Sequence, residues 1–423
     1  MQVWAEQALY AMIIGNLAST LVAGPAAAVV LRKEKEAYAK RHQAMESLGE
    51  EQKLRVLTCS HSAHSTPALL SLVELLVTEP ETQPAVHVLH LFDGGHKRAA
   101  AIAAAASSTT PYHQQILDEY DAGQEDITDM NTVVDLYWRA TGVAFRQIDV
   151  VGGSSASKDV DAVCRYAADT HTTLLLLPCF KEQRYDGKMA CRLEERRELN
   201  EGVLARAPCT VGLLIDRPYR SIGASFQVPC SVDTSTRTLL HPCSDRAVTH
   251  VIAAVFLGGP DDREAVSVAS RLADNPNIGL TVFRFVKRST YDSVMSSSSR
   301  AAAGDERLDM PLNEGDADER FMWRFYEMYA SRELAMYVEK VVESPADVVE
   351  TLDAMAGMFS LVIVGRGGRQ PVELLAGLDR WTEAGKEMGA VAEILASNAS
   401  MEMGSVLVMQ QHTVAVPVRR RPI

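Results

Sequence analysis

The stretch Phe256-Leu-Gly-Gly-Pro-Asp-Asp-Arg-Glu-Ala265 decides the fold of this chain. An apolar run leads into it and ends at two glycines, and a sequence with helix-starting signals follows at once. Gly258 and Gly259 allow a tight turn because they carry no Cβ atom. Asp261 is predicted to cap the new helix, and Glu264, three residues later, to complete a capping box. A strand that passes directly into a helix is the opening βα unit of a parallel α/β domain.

The same alternation of short apolar strands and helical patterns occupies most of the chain. Predicted strands lie at 54–59, 86–91, 145–150, 173–178 and 210–215, and then at 251–256, 280–285, 337–342, 361–364 and 405–409. Continuous apolar strands separated by helices predict a parallel sheet covered on both faces. Aligned by element, Leu174–Pro178 corresponds to Leu361–Gly365, a repeat distance of roughly 190 residues, which is long enough for one domain each. The sequence therefore predicts two tandem, doubly wound α/β lobes.

The amino terminus has a different composition from the lobes. No residue from Gln7 to Leu31 is charged, and Arg32, Lys33 and Lys35 follow directly. A bilayer needs roughly 20 apolar residues to be crossed, and basic residues favour the cytoplasmic side. Residues 8–31 are therefore predicted to contact the lipid bilayer as a membrane helix, with residues 32–423 in the cytosol. A signal peptide would need basic residues before the apolar run. A buried amphipathic helix is the other alternative.

These patterns give a predicted domain organisation. Its parts are a membrane helix at 1–33, a charged connector at 34–53, the first lobe at 54–216, an interlobe linker at 217–245, the second lobe at 246–412 and a basic tail at 413–423. Residues 289–319 are rich in Ser, Gly, Asp and Glu, and this polar composition predicts a disordered insertion in the second lobe.

Composition excludes several classes of function. The 423 residues include 55 acidic and 42 basic ones, so nucleic acid is not an expected partner. Seven cysteines are present without a Cys-x-x-Cys pair, which predicts a reducing compartment and no metal site. No Ser/His/Asp or Cys/His pattern supports an enzyme, and no catalytic residue is predicted.

Several long phrases point to one family. The stretch 256–265, together with Leu280–Phe285, Val338–Val342, Ile363–Arg366 and Ala207–Gly212, resembles the cytosolic tail of plant cation/proton exchangers, within the monovalent cation:proton antiporters. The resemblance implies a bundle of membrane helices that exchanges K⁺ or Na⁺ for H⁺ and a tail that regulates it. Residues 7–31 then resemble the last helix of that bundle. Because these residues form one span at most and contain no acidic residue, the ion pathway is expected to lie outside this chain.

The resemblance also sets the expected partners and location. The main partner is the membrane domain of an antiporter, in an endomembrane or the plasma membrane, and formation of a homodimer is left open. The alternative function is a soluble, tandem, stress-protein-like nucleotide binder.

That alternative comes from a second resemblance. The order of elements is similar to that of universal stress proteins, some of which bind ATP through Gly-x-x-Gly, nine residues, and Gly followed by Ser or Thr. Gly365, Arg366, Gly368 and Gly377 lie at the matching strand end, although Gly377 is one residue early and Leu378 replaces the hydroxyl residue. With Gly258, Gly259 and Asp261 they form a hypothetical site for ATP or another nucleotide. The alternative interpretation is that the glycines only make turns and that Asp261 and Asp262 only start a helix.

Two histidines are candidates for pH sensing. His61 and His64 follow the first predicted strand, and histidine titrates near neutral pH. The alternative is that both are ordinary core or surface residues.

Overall fold

The computed structural model describes most of the predicted lobes. The described residues are 44–47, 54–61, 65–76, 85–92, 130–137, 145–151, 156–179, 181–183, 189–191, 194–216, 250–288, 314–367, 373–375, 387–397 and 404–412, with the single positions 12, 24, 28, 33 and 139. The chain divides into two compact units, Met1–Gln43 and Ala44–Ile423. The predicted membrane helix lies outside the described residues except at positions 12, 24 and 28. Within the part that the structure describes, no helix combines the length and apolarity needed to cross a bilayer.

The second unit is built on strands that alternate with helices, in two halves. The first half contains a 3-10 turn at Met45–Ser47, β1 (Arg55–Ser60), α1 (Thr66–Leu76), β2 (Ala85–Phe92), β3 (Phe145–Val151), α2 (Ala156–Asp169), β4 (Leu174–Pro178), β5 (Lys181–Gln183), β6 (Met189–Cys191), α3 (Glu194–Arg206) and β7 (Thr210–Ile215). Residues 130–137 are also helical.

The second half repeats this order. It contains β8 (His250–Phe256), α4 (Pro260–Ala273), β9 (Ile278–Lys287), α5 (Glu314–Phe325) continued by a π-helical turn at Tyr326–Ala330, β10 (Ala335–Val342), α6 (Pro345–Ala354), β11 (Leu361–Gly365), a 3-10 turn at Glu373–Leu375, α7 (Ala390–Ser397) and β12 (Ser405–Gln410). Helix α5 begins inside the predicted insertion 289–319. The boundaries of the predicted domains otherwise stay predictions.

All strands except the short hairpin β5–β6 belong to one ten-stranded sheet. Its order is β10-β9-β8-β11-β12-β7-β4-β1-β2-β3, so each half has its first strand in the middle and its fifth strand at the inner edge. Neighbouring strands within each half are parallel, which confirms the predicted parallel α/β class. The sequence did not predict that the halves share a sheet.

The halves meet through their fifth strands. Strand β12 pairs antiparallel with β7, with Val406 opposite Ile215 and Gln410 opposite Val211. Side chains add bonds across this joint, since Gln410 Nε2 donates to the Leu204 carbonyl at 2.6 Å and Ser405 Oγ donates to Asp216 Oδ1 at 2.9 Å. Every residue of both strands is buried. The joint is therefore part of the core of the molecule.

The core lies on both faces of the sheet and runs across the joint. One face packs Leu213 of β7 with Val408 of β12, and the other packs Leu214 with Leu407. Adjacent residues of a strand point to opposite faces, so an all-apolar strand fills both layers. This is the physical reason why the strands were recognisable as continuous apolar runs.

Candidate functional site

The turn between β8 and α4 has the two glycines in conformations that side-chain-bearing residues rarely adopt. Gly258 has φ 129° and Gly259 has φ 99°. Gly259 is the N-cap of α4, and Pro260 occupies the first helical position, where its fixed φ suits a helix. The prediction that Asp261 caps this helix is wrong, because the glycine and proline place the helix start two residues earlier.

Carboxylates of the protein bind the free amides of this turn. Asp262 Oδ2 accepts from Leu257 N at 2.7 Å and from Gly258 N at 2.9 Å, and Asp318 Oδ2 of α5 accepts from Gly259 N at 2.8 Å. Such amides at a helix start are the groups that would bind a phosphate. Two carboxylates hold them instead.

Gly365 lies at the end of β11 directly beside Asp262. A Cβ atom at Gly365 would meet Asp262 Oδ1 and would lie 2.6 Å from Asp262 N. The glycine is thus needed for close approach of α4 to the sheet, as the turn interpretation holds. The carboxyl group of Asp262 fills the space at this strand end, which disfavours a nucleotide phosphate there.

Arg366 is engaged by the protein. Its Nε donates to the Glu387 carbonyl at 3.0 Å, its guanidinium also bonds the side chain of Gln410, and its backbone N–H donates to the Met409 carbonyl at 2.8 Å. Arg366 therefore ties β11 to β12 and to the start of α7. Gly368 and Gly377 lie outside the described residues, so the nucleotide site as a whole stays a prediction.

Glu264 does not complete a capping box, and its carboxylate joins three parts of the chain. Oε1 accepts from Met45 N at 2.6 Å and from the hydroxyl of Thr210, the first residue of β7. Oε2 accepts from Glu46 N at 3.2 Å and from Gln411 Nε2 at 3.5 Å. Glu264 is 0% exposed. One buried carboxylate thus holds the segment Met45–Glu46 against both halves of the sheet at their joint.

Further charged groups surround this point. Asp261 Oδ1 accepts from Gln411 N at 2.8 Å. Arg263 Nε donates to Glu46 Oε2 at 3.0 Å, and its guanidinium also pairs with Asp318. We call these residues the junction cluster: Glu46, Asp261, Asp262, Arg263, Glu264 and Asp318. It contains five carboxyl groups and one guanidinium.

Burial changes the acidity of two members of the junction cluster. Burial raises the pKa of Asp262 from 3.8 to about 7; its amide bonds oppose the rise, and the neighbouring Asp261 and Asp318 add to it. Burial likewise raises the pKa of Glu264 from 4.5 to about 7, against the effect of its four donors. Both groups therefore change charge near neutral pH.

A groove of about 270 Å³ adjoins the junction cluster. Met45 and Glu46 line it together with Ser267 of α4 and with Phe321 and Phe325 of α5. Within the described residues, no group of three or more His, Cys, Asp or Glu side chains is arranged to hold a metal ion.

The histidines give less support to pH sensing than this cluster. His61 is buried beside the guanidinium of Arg196, and burial together with that charge lowers its pKa well below 6.5. A histidine in this environment stays neutral through the physiological range. His64 lies outside the described residues. The sequence analysis did not predict Glu264 as a titrating group. The pattern that could have indicated it is the run of four charged residues, 261–264, shortly after a strand of a sheet covered on both faces.

Two family profiles match the chain. One, described as "Plant cation/H(+) antiporter, C-terminal domain", matches residues 249–410, and the other, described as "Plant cation/H(+) antiporter domain", matches residues 86–219. Between them they take in most of both halves of the sheet. The chain belongs to the plant cation/H⁺ antiporter family.

Named relatives agree with this assignment along almost the whole chain. Cation/H(+) antiporter 15 of Arabidopsis thaliana is 28% identical over 411 residues, which are 96% of this chain and 47% of that protein. Cation/H(+) antiporter 19 of the same plant is 28% identical over 417 residues, which are 98% of this chain and 47% of that protein. This antiporter-family chain thus spans about half the length of these relatives.

Solved structures align over most of the chain at low scores. The cytoplasmic domain of a prokaryotic cation chloride cotransporter aligns with a TM-score of 0.43 and 11% identity, covering 85% of this chain and 96% of that one. A universal stress protein from Archaeoglobus fulgidus aligns with a TM-score of 0.40 and 10% identity, covering 85% and 97%. At these TM-scores the likeness adds nothing to the fold already described.

Proposed function

We propose that this chain is the cytosolic regulatory region of a plant cation/proton antiporter, which works with a membrane domain that exchanges K⁺ or Na⁺ for H⁺ at an endomembrane or the plasma membrane. The observation that carries the proposal is the bonding of Met45 and Glu46 to Glu264. In the sequence these two residues come shortly after the predicted membrane helix. Because this segment is hydrogen-bonded at the joint of both halves, a conformational change in the sheet would move it and the residues that precede it. A linker without such bonds would not transmit the change.

Family membership supports the transporter part of this proposal, since the relatives are named as cation/H⁺ antiporters. The predicted span at 8–31 supports attachment to the membrane, with the two halves of the sheet on the cytosolic side. Regulation of cation and pH homeostasis is the role that fits a chain of this family whose buried charges near the joint are engaged by other groups of the same chain.

The test is a transport measurement with the chain joined to the membrane domain of a relative. Vesicles that contain the joined protein are loaded with a pH-sensitive dye, and proton flux is followed after addition of K⁺ or Na⁺. We expect the chain to change the rate or the pH dependence of exchange relative to the membrane domain alone. Identical flux with and without the chain contradicts the proposal.

The competing nucleotide-binding function has a direct test as well. The carboxylates of Asp262 and Asp318 occupy the amides of the β8–α4 turn, so we expect no heat of binding when millimolar ATP is titrated into the whole chain. A measurable heat that disappears in Arg366→Met would restore that function.

A further inference from the structure

The hydrogen bonds to Glu264 favour its ionised form, because all of them come from donors. The burial of Glu264 without a bonded cation disfavours that form. All four groups that bond it are neutral donors. Three of them are N–H groups, which cannot accept a hydrogen bond from the O–H of the protonated acid. In the described part of the chain no cation bonds either Glu264 or Asp262. Burying an ionised carboxyl group without a cation is costly, so the two effects compete within one contact.

The charged groups that face this pair are mostly acidic. The 3-10 turn contributes Glu46, α4 itself contributes Asp261 and Arg263, and α5 contributes Asp318. Helix α1 also packs on α4, but its Glu74 is exposed. Strands β8, β9 and β11 present apolar core residues to α4, and beyond β12 Gln411 is neutral. Within the junction cluster Arg263 is therefore one cation among five carboxyl groups, and Arg271 of α4 and Arg324 of α5 line the adjoining groove together with Glu46 and Asp274.

We propose that Glu264 makes the contact between the segment Met45–Ser47 and the joint of the sheet sensitive to pH, so that the contact is closed in acid and opens progressively as pH rises toward neutrality. The proposal deepens the regulatory function argued above and rests on it for its biological meaning.

The sign follows from linkage between opening and proton binding. When the segment leaves, water reaches Glu264 and its pKa returns toward the ordinary value of a glutamate. The closed contact therefore binds protons more tightly than the open one. A state that binds more protons gains population as pH falls, so rising pH favours opening by up to about tenfold per pH unit between the ordinary pKa of a glutamate, 4.5, and the closed-state pKa of about 7, and no further above it.

Hydrogen exchange of the full 423-residue chain tests this directly. The protection factors of the Met45 and Glu46 amides are measured from about pH 4 to about pH 8 and corrected for the intrinsic effect of pH on exchange. We expect a fall in protection of about tenfold per pH unit from about pH 5 to about pH 7 and constant protection above it. The amides of β4, in the core of the sheet, report global unfolding, and the protection of Met45 and Glu46 should stay below theirs at every pH if the contact opens locally. A constant protection factor for Met45 and Glu46 across the whole range overturns the proposal.

Two variants identify the titrating group. Glu264→Gln has no charge to release, so the protection of these two amides should lose most of its pH dependence, whereas Glu350→Gln, on the exposed face of α6, should behave like the unmodified chain. Thr210→Val removes a hydrogen bond that favours the ionised form, so the fall in protection should extend to higher pH before it levels off. If Glu264→Gln does not fold by circular dichroism, Thr210→Val decides, and a fall that levels off at the same pH as in the unmodified chain overturns the proposal.

These outcomes are separable from those of the transport test. A pH-dependent contact in a chain that leaves exchange unaffected would contradict the regulatory function and keep the inference about the contact. Regulated exchange with a pH-independent contact would do the reverse.

Discussion

Gly365 shows at the scale of one residue how tightly α4 lies on the sheet. We expect Gly365→Ala to destabilise the fold by about 1–3 kcal/mol, because its Cβ would lie 2.6 Å from the backbone nitrogen of Asp262 and 2.7 Å from the carbonyl carbon of Asp261. Urea unfolding measures the loss. Gly367→Ala is the control, since its Cβ meets nothing within 4 Å and only its φ of 65° is unfavourable. Equal stability of Gly365→Ala and the unmodified chain would contradict this account.

The junction cluster also shows where residue-level prediction from sequence stops. Gly258, Gly259 and Gly365 were predicted to make close turns, and the structure places them at such turns. The partners of Asp261 and Glu264 were assigned to the local helix start, yet the groups that bond them are Gln411, Met45 and Thr210. Capping rules consider only neighbours within four residues. Partners brought together by the joint are 54 to 219 residues away.

At the scale of elements, α6 has the local cap that α4 lacks. Asp347 Oδ2 accepts from Ser344 N at 3.0 Å, and Ser344 Oγ donates to Asp347 Oδ1 at 3.0 Å, with Pro345 at the first position of the helix. We expect Ser344→Ala to cost about 1 kcal/mol of stability, read from the shift of the urea midpoint. Ser344→Thr is the matched control, because threonine keeps the hydroxyl that donates to Asp347 Oδ1 and is also a good N-cap. A loss of similar size in that variant would contradict a capping role.

Strands were predictable and their partners were not. The predicted strands matched all ten strands of the main sheet. The inner strands are mostly apolar because they are buried on both faces, whereas the edge strands β3 and β10 also contain charged and partly exposed residues. Strands β7 and β12 have the same fully buried pattern as β4 and β11, so nothing in their residues says which neighbour is antiparallel. The hairpin β5–β6 was missed because its strands have three residues each.

At the scale of the whole molecule, the two halves should depend on each other. We expect residues 1–216 and 250–423, produced separately, to be insoluble or to self-associate, since each would expose a strand edge that is buried at the joint. Produced together they should form a 1:1 complex, which sedimentation analysis detects. If the two halves are stable monomers that do not associate, the joint contributes little to the stability of the molecule.

The stability of the whole fold should also respond to pH through the junction cluster. Asp262 and Glu264 have pKa values of about 7 in the fold, above 3.8 and 4.5, so their contribution is greatest below pH 4 and is lost as pH rises toward 7. The loss is on the order of a few kcal/mol in total. Urea midpoints at pH 5 and pH 8 measure it. The difference between the two pH values should be smaller in Glu264→Gln, and an unchanged difference would exclude Glu264 as its source.

The two halves also differ at corresponding places, and the antiparallel joint explains why this matters. Helices α1 and α4 both start beside a proline, Pro67 and Pro260, but the next four residues are Ala68-Leu-Leu-Ser71 in one and Asp261-Asp-Arg-Glu264 in the other. In a homodimer joined through such an antiparallel edge, two-fold symmetry would place the same side chains at both corresponding positions. Covalent linkage removes that obligation. A single protein was therefore free to place a cluster of acidic residues at the start of α4 and mostly apolar residues at the corresponding start of α1.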